Sequence, residues 1–194
     1  MEKNENGNAQ DAEKKNGLTS EIWGFLKDMI VSLLIVFFVV QVLIRPVQVV
    51  GHSMDPTLQD RSYGFANVLG TKLGHLERFD IVIVYVEEKD EYLVKRIIGM
   101  PGETVSYRNG QLYINDDPVE EKFLDTDYAK SYPEGTFMSD VDPITLGDDE
   151  YYCLGDNRPH STDSRYYGPF HKKDIAAKGM CVFWPLNAIG VKSW

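Results

Sequence analysis

Residues 77–116, ERFDIVIVYVEEKDEYLVKRIIGMPGETVSYRNGQLYIND, decide the fold class. Two runs within it, DIVIVYVE (80–87) and EYLVKRIIG (91–99), are dense in β-branched and aromatic residues and are separated by charged positions. A third, TVSYRNGQLYIND (104–116), alternates around Asn109-Gly110, a dipeptide that accepts positive φ at both centres of a two-residue hairpin turn. Outward from there, EYYCLGD (150–156) and KGMCVFWP (178–185) repeat the short, turn-bounded pattern, and no amphipathic helix longer than about two turns is evident beyond residue 46. The reading is mostly β: an antiparallel sheet domain over residues 46–194. From residue 116 to 149 the pattern lapses, with eleven Asp or Glu and three Pro. That segment reads as a loop-rich insertion holding some strand, because structureless loops of such length are uncommon.

On the N-terminal side, MIVSLLIVFFVVQVLI (29–44) carries only Ser32 and Gln41 as polar residues and no charge. A core helix of a soluble protein would show a polar stripe at 3.6-residue spacing, and this run has none. Sixteen residues span only about 24 Å, short of the roughly 30 Å of a hydrocarbon core. Ile22, Trp23, Phe25 and Leu26, with Lys27 able to snorkel, supply the missing length. A transmembrane anchor is expected over residues 22–45. It is read as uncleaved, since Arg45-Pro46-Val47-Gln48 stands where a signal-peptide cleavage site would need small residues. Residues 1–21 hold five acidic and three basic residues and one large aliphatic, Leu18, so a disordered tail is expected there. Lys14, Lys15 and Lys27 before the anchor, against Arg45 and Arg61 after it, leave the orientation open.

Composition narrows the function. Across 194 residues, thirty acidic against twenty basic side chains give a net charge of −10. Without a basic stripe to neutralise phosphates, nucleic acid is not expected as a partner. Cys153 and Cys181 form neither a disulfide scaffold nor a CxxC or Cys/His cluster, so neither a metal nor a cofactor is expected.

Four groups of residues could carry chemistry. Gly51-His52-Ser53-Met54-Asp55 superficially resembles a GxSxG nucleophile elbow. However, Asp55 and Pro56 spoil the tight strand-to-helix turn, and the helices of a doubly wound hydrolase are missing. A serine in a Pro-containing turn is the plain alternative. Lys95 lies in EYLVKRIIG, where alternation puts Leu93, Lys95 and Ile97 on one face and Tyr92, Val94, Arg96 and Ile98 on the other. If the strand is interior, one of these cations is buried among aliphatic side chains, where desolvation lowers a lysine's pKa and makes it a base. If it is an edge strand, both heads reach solvent. The loop GDNRPHSTDSR (155–165) is almost wholly polar and could be simply solvated, with Asp163 and Arg165 as an ion pair. Cysteine–histidine chemistry of the sortase kind fits poorly, since both cysteines lie in apolar strand patterns.

Taken together and in order, GHSMDPTL (51–58), ERFDIVIVY (77–85), YLVKRIIGMPGE (92–103) and GDNRPHSTDSRYYGPF (155–170), behind an N-terminal anchor, resemble bacterial type I signal peptidases. The single anchor, small insertion and Gly51 resemble the Gram-positive enzymes. The resemblance implies a serine endopeptidase that removes signal peptides from exported preproteins by a Ser-Lys dyad. Ser53 would be the nucleophile, Lys95 the general base, and Ser161 the serine that hydrogen-bonds and orients the lysine. Asp163 and Arg165 would hold the loop, and the Ser53 N–H would meet the oxyanion, since the side-chain donor of some relatives is missing at Gly51. Val47, Val49, Met54 and Val94 would line two shallow pockets for small residues, with the substrate added as a strand beside residues 47–51. The resemblance also implies a single-pass protein of the bacterial cytoplasmic membrane, with a cytoplasmic N-terminus and its catalytic domain on the outer face. Phe79 departs from the Gly of many relatives, and only local repacking is expected. Two alternatives remain. A self-cleaving repressor with the same dyad would carry a DNA-binding domain in place of the anchor. A catalytically silent, membrane-tethered β module would bind exported chains without cutting them.

Overall fold

The structure is a computed structural model describing residues 6–42, 44–124 and 126–192, so residues 1–5 of the expected tail lie outside it. The chain divides into two compact units, residues 1–43 and 44–194.

In the first unit a single helix, α1, runs Asn6–Val42. Its stretch Glu21–Val40 is long and apolar enough to cross a membrane, and none of it is buried against protein. Two expectations are corrected here. The tail is helical from Asn6 onward rather than irregular, because a helix nucleated in the apolar run gains a hydrogen bond for each residue added and meets no proline. The helix also stops at Val42 instead of reaching residue 45, and Ile44–Gln48 is strand β1. Pro46 explains the change: its ring disfavours helical backbone at Arg45, and it has no N–H to donate. β1 is an edge strand, where the missing donor is tolerated.

In the second unit β1 is followed by β2 (Tyr63–Asn67), the short helix α2 (Leu69–Leu73), β3 (Ile81–Val86), β4 (Glu91–Gly99), β5 (Thr104–Arg108), β6 (Gln111–Ile114) and β7 (Asp117–Val119). Then come α3 (Asp127–Lys130), β8 (Val141–Thr145), β9 (Glu150–Leu154), α4 (Ser164–Tyr167), β10 (Phe170–His171), β11 (Ile175–Trp184) and β12 (Gly190–Lys192). Among the described residues, one antiparallel sheet has the order β1-β2-β11-β3-β4-β9-β10, with β12 also on β11. A smaller sheet has the order β7-β6-β5-β8. The expected hairpin joins β5 to β6, with φ of 51° at Asn109 and 78° at Gly110. The small sheet therefore draws in residues 104–114 as well as strands from the acidic segment 116–149.

Alternation along β4 distributes the core. Ile97 packs with Val82, Val84, Cys153 and Ile175. Ile98 instead packs with Val105, Tyr107, Leu112 and Tyr152, joining the two sheets. Val94, with Val47, belongs to clusters on Ile81, Met180, Ala66 and Ile83. β4 is interior, between β3 and β9, and Lys95 and Arg96 are 2% and 0% exposed. The edge-strand alternative, with both cations in solvent, is thereby excluded.

Candidate active site

The site begins with a tethered loop. Leaving β1, the backbone is pinned by Val49 N–H to Ser62 O at 2.8 Å and by Arg61 N–H to Val49 O at 2.9 Å. Gly51 takes φ +94°, a conformation open to glycine, and donates its N–H to Asp60 Oδ1 at 2.8 Å. That hydrogen bond lowers the Asp60 pKa. A helical turn then closes from Leu58 N–H to Met54 O at 3.0 Å and presents Ser53. Met54 and Val49 are buried beneath it, with Val47 and Val94 half-buried in the same cluster.

β4 supplies the partner. Lys95 Nζ donates to Ser53 Oγ at 3.0 Å across 42 residues of sequence. Burial pushes the Lys95 pKa down from 10.5 to about 8, the Asp163 carboxylate opposing the shift and Arg165 adding to it. At pH 7 about a tenth of such a lysine is neutral, against about one part in three thousand for an unperturbed one. No histidine is needed in this arrangement. Cys153 is fully buried and its thiol is pushed up by desolvation, whereas Cys181 is exposed on β11, contrary to a core reading of that residue. Burial leaves Cys153 a poor nucleophile.

The polar loop after β9 clamps the dyad from behind. Asn157 donates its backbone N–H to Ser53 O at 3.0 Å and its Nδ2 to His52 O at 2.9 Å. A Cβ on Gly155 would overlap both the Ser53 carbonyl and the Ser161 hydroxyl, so the loop can approach this closely only with glycine there. Asp163 accepts the Gly155 N–H at 3.0 Å and pairs with Arg165 through both carboxylate oxygens at 2.8 Å. Burial raises the Asp163 pKa, but Arg165 and the Gly155 N–H outweigh it and hold the carboxyl below its usual range. Arg165 Nη2 also donates to Arg158 O at 2.8 Å and Ser161 O at 3.2 Å, tying the loop to its own backbone.

Ser161 is beside the dyad without the expected bond to Lys95. Its hydroxyl is buried against Gly155 and has no hydrogen-bond partner, although it lies close enough to Asp163 to favour that carboxylate. Lys95 gives its hydrogen bond to Ser53 instead. The Ser53 N–H makes no hydrogen bond among the described residues.

Sequence reasoning missed a buried brace. Arg96 and Asp156, both 0% exposed at the side chain, pair at 2.8 and 2.6 Å. Thr57 Oγ1 donates to Asp156 Oδ2 at 2.6 Å, and Arg96 Nη1 donates to Phe79 O at 2.8 Å. One carboxylate thus joins the turn after Ser53 to the residue following Lys95. The available signals were an arginine inside an apolar strand and the Gly155-Asp156-Asn157 triplet.

The family model described as signal peptidase, peptidase S26, matches residues 22–184. Signal peptidase I of Bacillus amyloliquefaciens is 38% identical over 178 residues, covering 91% of this chain and 95% of the relative. Signal peptidase IB of Staphylococcus aureus is 34% identical over 179 residues, covering 88% and 93%. A crystal structure of a signal peptidase I from Enterococcus faecalis V583 is 33% identical, covering 54% of this chain and 96% of that one, with a TM-score of 0.49.

Proposed function

From the premise that the chain belongs to the signal peptidase family, peptidase S26, and is thus a serine peptidase that removes signal peptides, we propose that it does so through Ser53 and Lys95. The observation that carries this reading is the 3.0 Å contact between Ser53 Oγ and a buried Lys95 Nζ whose pKa is brought down to about 8. Neutral Lys95 takes the Ser53 proton as Oγ attacks the scissile carbonyl. The Ser53 N–H meets the developing oxyanion. The lysine then returns the proton to the departing amine, and a water activated in the same way releases the signal peptide from the serine ester. Once protonated, Lys95 carries three N–H donors, and the Ser161 hydroxyl, buried against Gly155, would accept one of them. Ser161 therefore acts as a positioning residue, and Asp163 with Arg165 keeps it in place.

The substrate is an exported preprotein. Among the described residues, β1 pairs only with β2, and β9 covers β4 only over Arg96–Gly99, so both β1 and the Glu91–Lys95 half of β4 offer an open edge near Ser53. A substrate strand fits between them. Val49 and Met54 take the residue before the cut bond, and Val47 and Val94 take the third before it. Apolar walls so close admit alanine and reject larger side chains by clash. α1 anchors the enzyme through Glu21–Val40, about 30 Å of helix. The N-terminus is cytoplasmic and the catalytic unit stands on the outer face, where the signal peptide's cleavage site emerges.

Processing of a preprotein in detergent micelles tests the dyad. Ser53→Ala and Lys95→Ala should each abolish cleavage while the far-UV circular dichroism stays that of the wild type. More than a few per cent of wild-type turnover in Ser53→Ala rejects the nucleophile, and binding without any cleavage by the wild type supports the silent-module alternative.

A further inference from the structure

The two open edges continue past the pockets just described. Antiparallel pairing along β1-β2-β11-β3-β4 makes β1 and β4 run in the same direction, both toward the dyad. Each wall therefore repeats every two residues on one face. Stepping back by two from Val47 on β1 reaches Arg45, and by two from Val94 on β4 reaches Tyr92. Arg45 and Tyr92 together line a cavity of about 260 Å³ that also touches Val47, Ala66, Ile83 and Ala177. The pairings Arg45 with Ala66 and Ile83 with both Val94 and Ala177 put these side chains on the common inner face.

We infer that this cavity is a third substrate subsite, taking a bulky apolar side chain from the fifth residue before the cut bond. The inference rests on the proposed cleavage between β1 and β4. If the first and third residues before the cut point inward, the period of two sends the fifth inward as well, toward Arg45 and Tyr92. A cavity of about 150 Å³ already accepts benzene, so 260 Å³ admits leucine or phenylalanine. The walls are aliphatic or aromatic apart from the Arg45 guanidinium and the Tyr92 hydroxyl, and Arg45 disfavours a lysine or arginine there by like charge. Unlike the two shallow pockets, this one selects by attraction.

The full chain in detergent micelles, given peptides with alanine at the first and third positions before the cut and Gly, Ala, Leu, Phe or Lys at the fifth, tests the assignment. Leucine should raise kcat/KM about tenfold over glycine, the gain expected for partial burial of its side chain. Lysine should fall at or below glycine. Within Tyr92→Ala, which removes one wall, the leucine-to-glycine ratio should fall toward one. Ala177→Leu, which fills the cavity, should do the same, and exposed Arg45→Glu should raise the lysine-to-glycine ratio. A wild-type leucine-to-glycine ratio near one, or ratios unchanged in all three variants, overturns the subsite while leaving the dyad standing. Failure of the wild type to cut any peptide overturns the cleavage reading and the subsite with it.

Discussion

Lys95 is costly to the fold for the same reason that would make it a base. A pKa lowered from 10.5 to about 8 means that the unfolded chain binds more protons between those values, so this residue's contribution to stability rises with pH across that window. Below pH 8 the full penalty, about 3 kcal/mol, is present. Lys95→Met should therefore inactivate the enzyme yet raise its melting temperature at pH 7, with the gain shrinking toward pH 10.5. Thermal melts of both proteins at pH 7 and 10 check this, and equal gains at both would mean that Lys95 is not a neutralised base. Phe79 makes a different trade. It holds φ +72° and packs its ring on Phe123 at 5.1 Å. Replacement by alanine loses the ring and keeps the left-handed backbone, which costs about 1 kcal/mol for a residue with a Cβ. Phe79→Gly should consequently be more stable than Phe79→Ala, the reverse of the usual order, as denaturant titration would show.

At the level of elements, the short helix α3 reaches the loop after β9. Tyr128 OH donates to Asn157 Oδ1 at 3.0 Å, and Asn157 in turn holds the carbonyls of His52 and Ser53. Thr126 caps that helix by accepting the Ala129 N–H at 3.1 Å. Tyr128→Phe should thus lower kcat several-fold with little change in KM, since it loosens the turn that presents Ser53 rather than the substrate cleft. A rise in KM alone would assign Tyr128 to binding. The brace from β4 to the loop after β9 is more demanding. Asp156→Ala leaves the Arg96 guanidinium buried without its carboxylate, and should cost about 3–5 kcal/mol of stability. Unfolding midpoints close to wild type would show that Phe79 O and the Phe123 ring, 4.1 Å from the guanidinium carbon, suffice for Arg96.

Across the whole molecule, the division between residues 1–43 and 44–194 separates the candidate membrane span from the unit that holds Ser53 and Lys95. A chain beginning at Ile44 keeps β1 complete and should melt as one unit. It should cut short peptides with the kcat/KM of the full protein. On membrane-embedded preproteins it should be much slower, because sharing a bilayer raises the effective concentration of enzyme and substrate. Equal rates on embedded preprotein for the two forms would reduce α1 to an address.

The sequence by itself determined whatever depends on near neighbours along the chain. The density of β-branched and aromatic residues made 81–86 and 91–99 strands, Asn109-Gly110 made a hairpin, and the uncharged run made a membrane-length helix. The helix end was legible only after the fact, since Pro46 biases its neighbours but pairing with β2 decided that Ile44 and Arg45 became strand. Tertiary structure alone decided that both Lys95 and Arg96 are interior, because β9 pairs with Arg96 from more than fifty residues away and the turn carrying Ser53 meets Lys95 from 42 residues away. It also decided that Lys95 meets Ser53, that Arg96 meets Asp156, and that Ser161 is buried without a partner. The physical reason is common to all three. A hydrogen bond needs atoms within about 3 Å, and a lysine's pKa responds to the solvent it loses, and neither quantity is set until strands distant in sequence have taken their register.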